Sequence, residues 1–314
     1  MKKIKILFTF AVVLVLFSGC KYDEDWLDPQ QIRPTVYFAS ELSYERTVIP
    51  GEGLQFGIGP ALGGVITNKT DWSVDLQILK GVEMPDNRKL LPDNYYNSSE
   101  LGGNIRVTIP KGEYMNFFYV KLDSTQFIND ANTMAGSNPL YALPVKIVGT
   151  SAEVINEDRD QVLVAVKYQA SFDGWYLHET TIEREHGGQM ISGRTTTEKS
   201  YAEATAVTWR LATIGPFSVR ATAPTGGNFN QGLQFNMTVN GNSVSYGAPV
   251  SGQPTVEAIS GKTNSYSWET RDFELNFKYM KPENNDTIYH VSTKWEFRNR
   301  LIDGVNQPRH VLVY

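Results

Sequence analysis

Short runs of alternating apolar and polar residues begin at Pro34 and continue to the end of the chain. Between residues 35 and 168 the strand-like runs are Thr35–Ala39, Arg46–Ile49, Leu54–Gly59, Trp72–Ile78, Asn104–Ile109, Met115–Leu122, Ala142–Val148 and Gln161–Tyr168. In Trp72–Ile78 the alternation is strict, with Trp72, Val74, Leu76 and Ile78 on one face, as a half-buried strand requires. Pro50-Gly51-Glu52-Gly53 and Pro110-Lys111-Gly112-Glu113 have turn chemistry at hairpin length and predict two hairpins. No convincing helical period interrupts these strands, so residues 35–168 read as an immunoglobulin-like sandwich of two antiparallel sheets.

A boundary falls near Gln169-Ala170-Ser171, and residues 172–314 are again strand-rich. Leu233–Val239 alternates and ends at Asn240-Gly241, a hairpin signal. A two-residue turn there predicts Met237 opposite Val244 and Phe235 opposite Tyr246. Phe273, Leu275, Phe277 and Tyr279 share one face of a further strand, with Asp272, Glu274, Asn276 and Lys278 opposite. Tyr289, Val291, Thr293, Trp295 and Phe297 repeat the pattern. Long strands with one polar face predict an antiparallel β-barrel, lipocalin-like, with a second sandwich as the alternative. The chain is thus read as all-β. It shows no repeat between its halves and no low-complexity tract beyond Thr195-Thr196-Thr197.

The first residues break the pattern. Lys2, Lys3 and Lys5 precede an apolar run from Ile6 to Phe17, interrupted only by Thr9, and Phe17-Ser18-Gly19 leads into Cys20. This is the order of a secretory signal peptide; the run is too short for a spanning helix, which needs about 20 apolar residues. Cys20 is the only cysteine in 314 residues, so it has no internal disulfide partner. The stretch resembles a bacterial lipoprotein signal, in which the cysteine thiol is diacylglycerylated and the chain is cut before it. Phe17 stands where that pattern prefers Leu, with Leu16 behind it. The resemblance implies a signal peptide over 1–19 and an outer-membrane lipid anchor at Cys20, each buried methylene contributing about 0.8 kcal/mol. Residues 20–34 form an acidic tether, and Lys21, Asp23, Glu24 and Asp25 within it resemble the export signal of Bacteroidetes surface lipoproteins. A plain solvated linker is the alternative.

Composition narrows the partners. A chain starting at Cys20 keeps 314 − 19 = 295 residues, room for two domains. Net charge is −5 with no dense Lys/Arg stripe, which argues against nucleic acid. The 16 Tyr, 15 Phe and 6 Trp suit pleated sheets and equally suit stacking on sugar faces.

Leu91-Pro92 with Tyr95, then Val107-Thr108-Ile109-Pro110-Lys111-Gly112-Glu113, then Tyr141-Ala142-Leu143-Pro144-Val145-Lys146-Ile147, resemble an uncharacterised N-terminal β-sandwich family. That family occurs in lipoproteins of Bacteroidetes polysaccharide utilisation loci. The likeness covers roughly residues 35–168, and the second half resembles, less specifically, a C-terminal domain often paired with it. The family precedes glycan-binding domains or chitinase-like glycosidase domains. The resemblance alone leaves both functions open; together with the anchor it implies a Sus-type glycan-binding lipoprotein beside a TonB-dependent transporter and its partner lipoprotein.

Catalytic chemistry is sparse. His178, His186, His290 and His310 are scattered without zincin spacing, one lipidated cysteine excludes thiolate zinc, and Gly-x-Ser-x-Gly is absent. Gly261-Lys262-Thr263 lacks the leading glycine of a P-loop, since Val256 stands there. Asp158 with Asp160, Glu183 with Glu185, and Asp272 with Glu274 are the carboxylate pairs a glycosidase would draw on, each equally at home on an exposed strand or turn. The chitinase pattern is missing, and residues 172–314 are too few for a (β/α)₈ barrel. The expectation is a non-catalytic binding protein for a polysaccharide or oligosaccharide, with no cofactor and no metal. A structural or adhesin-like protein and a small β-fold glycosidase are the alternatives.

The candidate site is a pair of rings, Tyr266 and Trp268. They sit out of phase with the Phe273–Tyr279 core face, so an unbroken strand turns both outward, flanked by Asn264, Glu269 and Arg271. A turn at Thr270-Arg271 would instead rephase the strand and bury them. Asp123-Ser124-Thr125 and Asp286-Thr287-Ile288 resemble the Bacteroidetes O-glycosylation motif, with Ser124 and Thr287 as acceptors.

Overall fold

The computed structural model describes residues 33–135, 139–198, 207–224, 232–280 and 287–312. Cys20, Lys21, Asp23, Glu24 and Asp25 lie outside the described residues.

The N-terminal half contains β1 (Thr35–Phe38), β2 (Ser43–Val48), β3 (Gln55–Ile58), β4 (Pro60–Gly63), β5 (Trp72–Ile78), β6 (Lys89–Leu90), β7 (Ile105–Ile109), β8 (Phe118–Lys121), β9 (Tyr141–Thr150), β10 (Val154–Ile155) and β11 (Gln161–Tyr168). One layer joins β10–β1–β4 to β3–β8, because β3 runs through Gly59 into β4 and Met115 bridges Ala61. The other is β2–β11–β9–β5–β7, with β6 on β9. Val36, Phe38, Phe56, Ile58 and Leu62 of the first layer meet Val74, Leu76, Val107, Ile147 and Val164 of the second in one core. This is the expected two-layer sandwich, but its sheets are mixed rather than antiparallel, since β1 pairs with β10, β2 with β11 and β6 with β9 in parallel.

Both predicted hairpins are corrected. β2 pairs in parallel with β11 and β7 pairs with β5, whereas β3 and β8 pair with each other. Pro50–Gly53 and Pro110–Glu113 are therefore corners that carry the chain between layers. A Pro-Gly turn reverses the chain in either arrangement; the partner strand is chosen by which faces must meet in the core. Buried Asn68 pins the second corner. Its Nδ2 donates to the Pro110 and Glu113 carbonyls, and its Oδ1 accepts from Thr70 N and Trp72 Nε1.

The C-terminal half contains β12 (Gly174–His186), β13 (Gln189–Glu198), β14 (Trp209–Gly215), β15 (Ser218–Thr222), β16 (Gln234–Asn240), β17 (Ser243–Tyr246), β18 (Val256–Ala258), β19 (Ser265–Tyr266), β20 (Phe273–Met280), β21 (Thr287–Ile302) and β22 (Val305–Pro308). The path β12–β14–β15–β16–β17–β19–β20–β21 returns to β12, so eight antiparallel strands close on themselves. The narrowest seam is Ser243 opposite Ser265. Side chains fill the interior: Trp209 stacks on Trp295 at 4.5 Å, with Phe235, Phe277, Phe273 and Tyr176 around them. A ligand must therefore bind outside the barrel core.

The β16–β17 register is also corrected: Asn240 pairs with Ser243 and Met237 with Tyr246. The turn is Gly241-Asn242, with Gly241 at φ +58°, since glycine best fills the first central position of a type II′ turn. The slip is two residues, so Phe235 and Met237 still face inward.

Residues 169–171 between the two cores are buried. Gln169 N bonds to the Val48 carbonyl, and Ala170 N to Thr213 Oγ1. The Pro50–Gly53 corner reaches into the barrel end, where Glu52 takes Arg300 at 2.5 and 2.8 Å and Arg271 at 2.8 Å.

Candidate ligand-binding cleft

The loop from β19 to β20 decides the fate of the predicted ring pair. Arg271 N bonds to the Ser267 carbonyl at 2.7 Å, Ser267 N to the Asp272 carbonyl at 2.9 Å, and Arg271 sits at φ +61°. This tight turn sets Tyr266 opposite Phe273 and so rephases the strand. Tyr266 is only 2% exposed, its ring 4.6 Å from Phe273 and 5.6 Å from Phe172. The expected exposed pair does not form; Tyr266 is core. Trp268 lies on the turn itself and remains 43% exposed. Its edge contacts to Tyr266 and Phe172 and a 2.9 Å bond from Nε1 to the Gly241 carbonyl hold it in place.

Two of the expected polar flanks are also redirected. Asn264 Oδ1 accepts from Tyr246 Oη at 2.8 Å and from Asn276 N at 2.5 Å, joining neighbouring strands. Arg271 donates to the Ser171 carbonyl at 3.1 Å and to Glu52, joining the two halves of the molecule. Glu269 is exposed beside Trp268.

Trp268 borders a cleft of about 530 Å³ with Asn242, Glu269, Asp272, Glu274 and Lys294. Asp272 accepts from Phe297 N at 3.1 Å and from Arg309 at 2.7 Å, so its carboxylate is committed. Glu274 and Lys294 face each other across β20 and β21 and are exposed. Of the expected site residues, the cleft brings together Trp268 and Glu269, with the now buried Tyr266 behind them. The cleft also holds Asp272 and Glu274, one of the candidate carboxylate pairs, while Asn242 and Lys294 were missed. In the sequence Glu274 reads only as a carboxylate paired with Asp272, and it is the cross-strand register that sets it against Lys294.

A larger cleft, about 720 Å³, lies between the two halves. Several of its charges are paired, and Asp303 accepts from Thr47 N and Oγ1. Lys167 pairs with Glu45, Arg88 lies 4.0 Å from the same carboxylate, and Arg210 lies 2.6 Å from buried Asp173. Asp173 also accepts from Thr213 N and Oγ1, both at 2.7 Å. This cleft is a polar seam.

The remaining sequence candidates separate by burial. Ser124 is exposed in the turn after Asp123; the Gln126 and Thr125 amides hold the Asp123 carboxyl below its usual range. Thr287 is 6% exposed with its hydroxyl 3.3 Å from His186 Nδ1, so the folded barrel does not present it to a glycosylating enzyme. Asp160 pairs with Lys146 at 3.2 Å and Glu185 with His290 at 2.7 Å. Among the described residues, no three His, Cys, Asp or Glu side chains gather as a metal site.

Fold and cleft define a two-part all-β protein: a sandwich followed by a closed, side-chain-filled barrel with a tryptophan-edged polar cleft at its end. No family model and no curated protein matches the chain. A solved structure of unknown function from Bacteroides ovatus is similar to it at 16% identity, covering 88% of this chain and 98% of that one, with a TM-score of 0.58. A second from the same organism has 12% identity, 86% and 97% coverage and a TM-score of 0.41. The apo form of the Calx CBD1 domain has 14% identity, 43% and 97% coverage and a TM-score of 0.28. The first of these likenesses establishes the shared fold.

Proposed function

We propose that the chain is an outer-membrane, surface-exposed lipoprotein that binds glycan at the Trp268 cleft without cleaving it. The observation that carries this reading is Trp268: a half-exposed indole, fixed by Tyr266, Phe172 and the Gly241 carbonyl, beside Glu269, Glu274, Lys294 and Asn242. A pre-positioned ring loses little entropy when a flat apolar sugar face stacks on it, and the polar neighbours can exchange hydrogen bonds with its hydroxyls. The Cys20 context and the sequence resemblance support the anchor and the place in a polysaccharide capture system, with a TonB-dependent transporter and its partner lipoprotein as neighbours.

Affinity gels and calorimetry against a polysaccharide panel test the site. Trp268→Ala should lower affinity at least tenfold for whichever polymer binds, with no reducing ends released by the wild type. Sugar release would make the carboxylates of this cleft an active site, and a blank panel would favour the adhesin-like alternative. For the anchor, Cys20→Ala should free the protein from membranes and abolish lipid labelling. Protease added to intact cells should cleave the wild type, and less so a chain with Asp23, Glu24 and Asp25 neutralised. A Cys20→Ala chain that still sediments with membranes would refute the anchor.

A further inference from the structure

Part of the outer face of the layer holding β3 and β8 is apolar, although the solvent side of an antiparallel sheet is ordinarily polar. Phe118 and Val120 turn into the core, whereas Met115, Phe117 and Tyr119 turn outward and remain 36, 44 and 52% exposed. Opposite them stand Gly57 and Gly59. A Cβ at Gly57 would lie 3.3 Å from both rings; one at Gly59 would lie 2.6 Å from the Phe117 ring and 2.5 Å from the Asn116 carbonyl. Neither glycine has a positive φ, so no backbone turn requires it. Close approach of the rings and of the Asn116 carbonyl does. Tyr37 repeats the arrangement, 3.0 Å from a Cβ built on Gly63.

Each ring therefore packs closely on bare backbone while about half of the residue stays exposed. Rings over strand glycines do stabilise a sheet. That stabilisation uses the parts of the rings against the glycines and leaves two exposed aromatic side chains, about 7 Å apart at the strand rise, in contact with water. Gln55 and Lys121, paired across the same two strands, add polar groups at one end of the line. The exposed parts of three such side chains offer on the order of 250 Å², well short of the ~800 Å² per partner of a stable protein pair.

We propose that Phe117 and Tyr119 form a second saccharide platform, on the sandwich and separate from the Trp268 cleft, that stacks successive rings of an extended glycan. This rests on the glycan reading above. Sites on both halves make capture bivalent, so polymer is held more tightly than short oligosaccharide.

The test uses the full mature chain in native gels containing starch, xylan, galactomannan, pectin, yeast mannan or laminarin. Phe117→Ala with Tyr119→Ala should reduce retardation at least tenfold in a gel that retards the wild type, and adding Trp268→Ala should abolish the remainder. Phe117→Leu with Tyr119→Leu keeps apolar volume without a ring face. It should reproduce the loss, separating stacking from folding. Unchanged retardation of both double variants in every such gel overturns the platform and leaves the Trp268 cleft to stand on its own variant. The converse pattern overturns the cleft and keeps the platform. A wild type retarded by no polymer overturns both. Protection of Met115 and Tyr119 from hydroxyl-radical labelling by phosphatidylethanolamine–phosphatidylglycerol vesicles, or a dimer lost in the double variants, would give the face to lipid or to a second copy and overturn the proposal.

Discussion

Tyr266 and Trp268 are two residues apart and have opposite fates. Tyr266 is enclosed by Phe172, Phe273 and Trp268, so Tyr266→Ala should cost about 3–5 kcal/mol, the range for emptying a large core ring. Trp268 is half-exposed, and its truncation should cost only about 1–2 kcal/mol. Urea denaturation of the two variants checks the contrast; equal losses would mean that Trp268 serves the core. Asn68 poses a purely polar case. Four hydrogen bonds converge on it in a buried site, and Asn68→Ala removes the partner of the Trp72 indole N–H and of the Glu113 carbonyl, while Pro110 O keeps the Glu113 amide. A loss of about 3 kcal/mol is expected from the sandwich, measured by the same denaturation.

Among the elements, the Pro50–Gly53 corner does more than turn. It carries Glu52 onto Arg300, which is 2% exposed, and onto Arg271. Burial pushes the Glu52 carboxyl upward, but hydrogen bonds and charge from Arg300 and Arg271 outweigh it and hold the group below its ordinary value. A depressed carboxyl contributes stability that is fully present above its unfolded value and is lost as pH falls through the folded one. Glu52→Gln should therefore cost about 3 kcal/mol at pH 7, because Arg300 keeps its charge without its carboxylate. The cost should shrink below about pH 4, as followed by thermal melting of wild type and variant across that range. A constant difference would remove the ion pair from the account.

At the scale of the molecule, acid acts on the barrel through a second group. His178 is fully buried. Thr293 Oγ1 donates to the Glu179 carbonyl, so Thr180 donates to Thr293, and His178 donates from Nδ1 to Thr180. The imidazole is held neutral in that tautomer, and burial lowers its pKa to about 4. As pH falls from about 6.5 the unfolded chain takes up a proton that the folded barrel refuses, and stability declines until about pH 4. The decline amounts to roughly 3 kcal/mol. His178→Gln should flatten the urea midpoint between pH 6.5 and 4.5, whereas Glu52→Gln should lower the midpoint by a constant amount across that range and converge on the wild type only in the more acid limb.

Alternation is local, and it made the all-β class, the limits of β5 and β11 and most inward side chains legible: Val74, Leu76, Phe235, Phe273 and Trp295 are all buried where the period places them. Strand partnership is not local. Pro50–Gly53 and Pro110–Glu113 read as hairpins, and only the meeting of two sheet faces made them corners. The Gly241-Asn242 register followed from the backbone angle that a twisted hairpin needs at its first turn position. At the candidate site, the sequence identified Trp268 and Glu269. Tyr266 was removed by the turn that Arg271 closes at positive φ, while Glu274 and Lys294 were added by register between β20 and β21. The Phe117–Tyr119 face lay outside the sequence reading, because Met115–Leu122 is apolar on both sides and period alone assigns neither side to the core. Only the packing of those rings against Gly57 and Gly59, about 60 residues away in the chain, decided which side faces water.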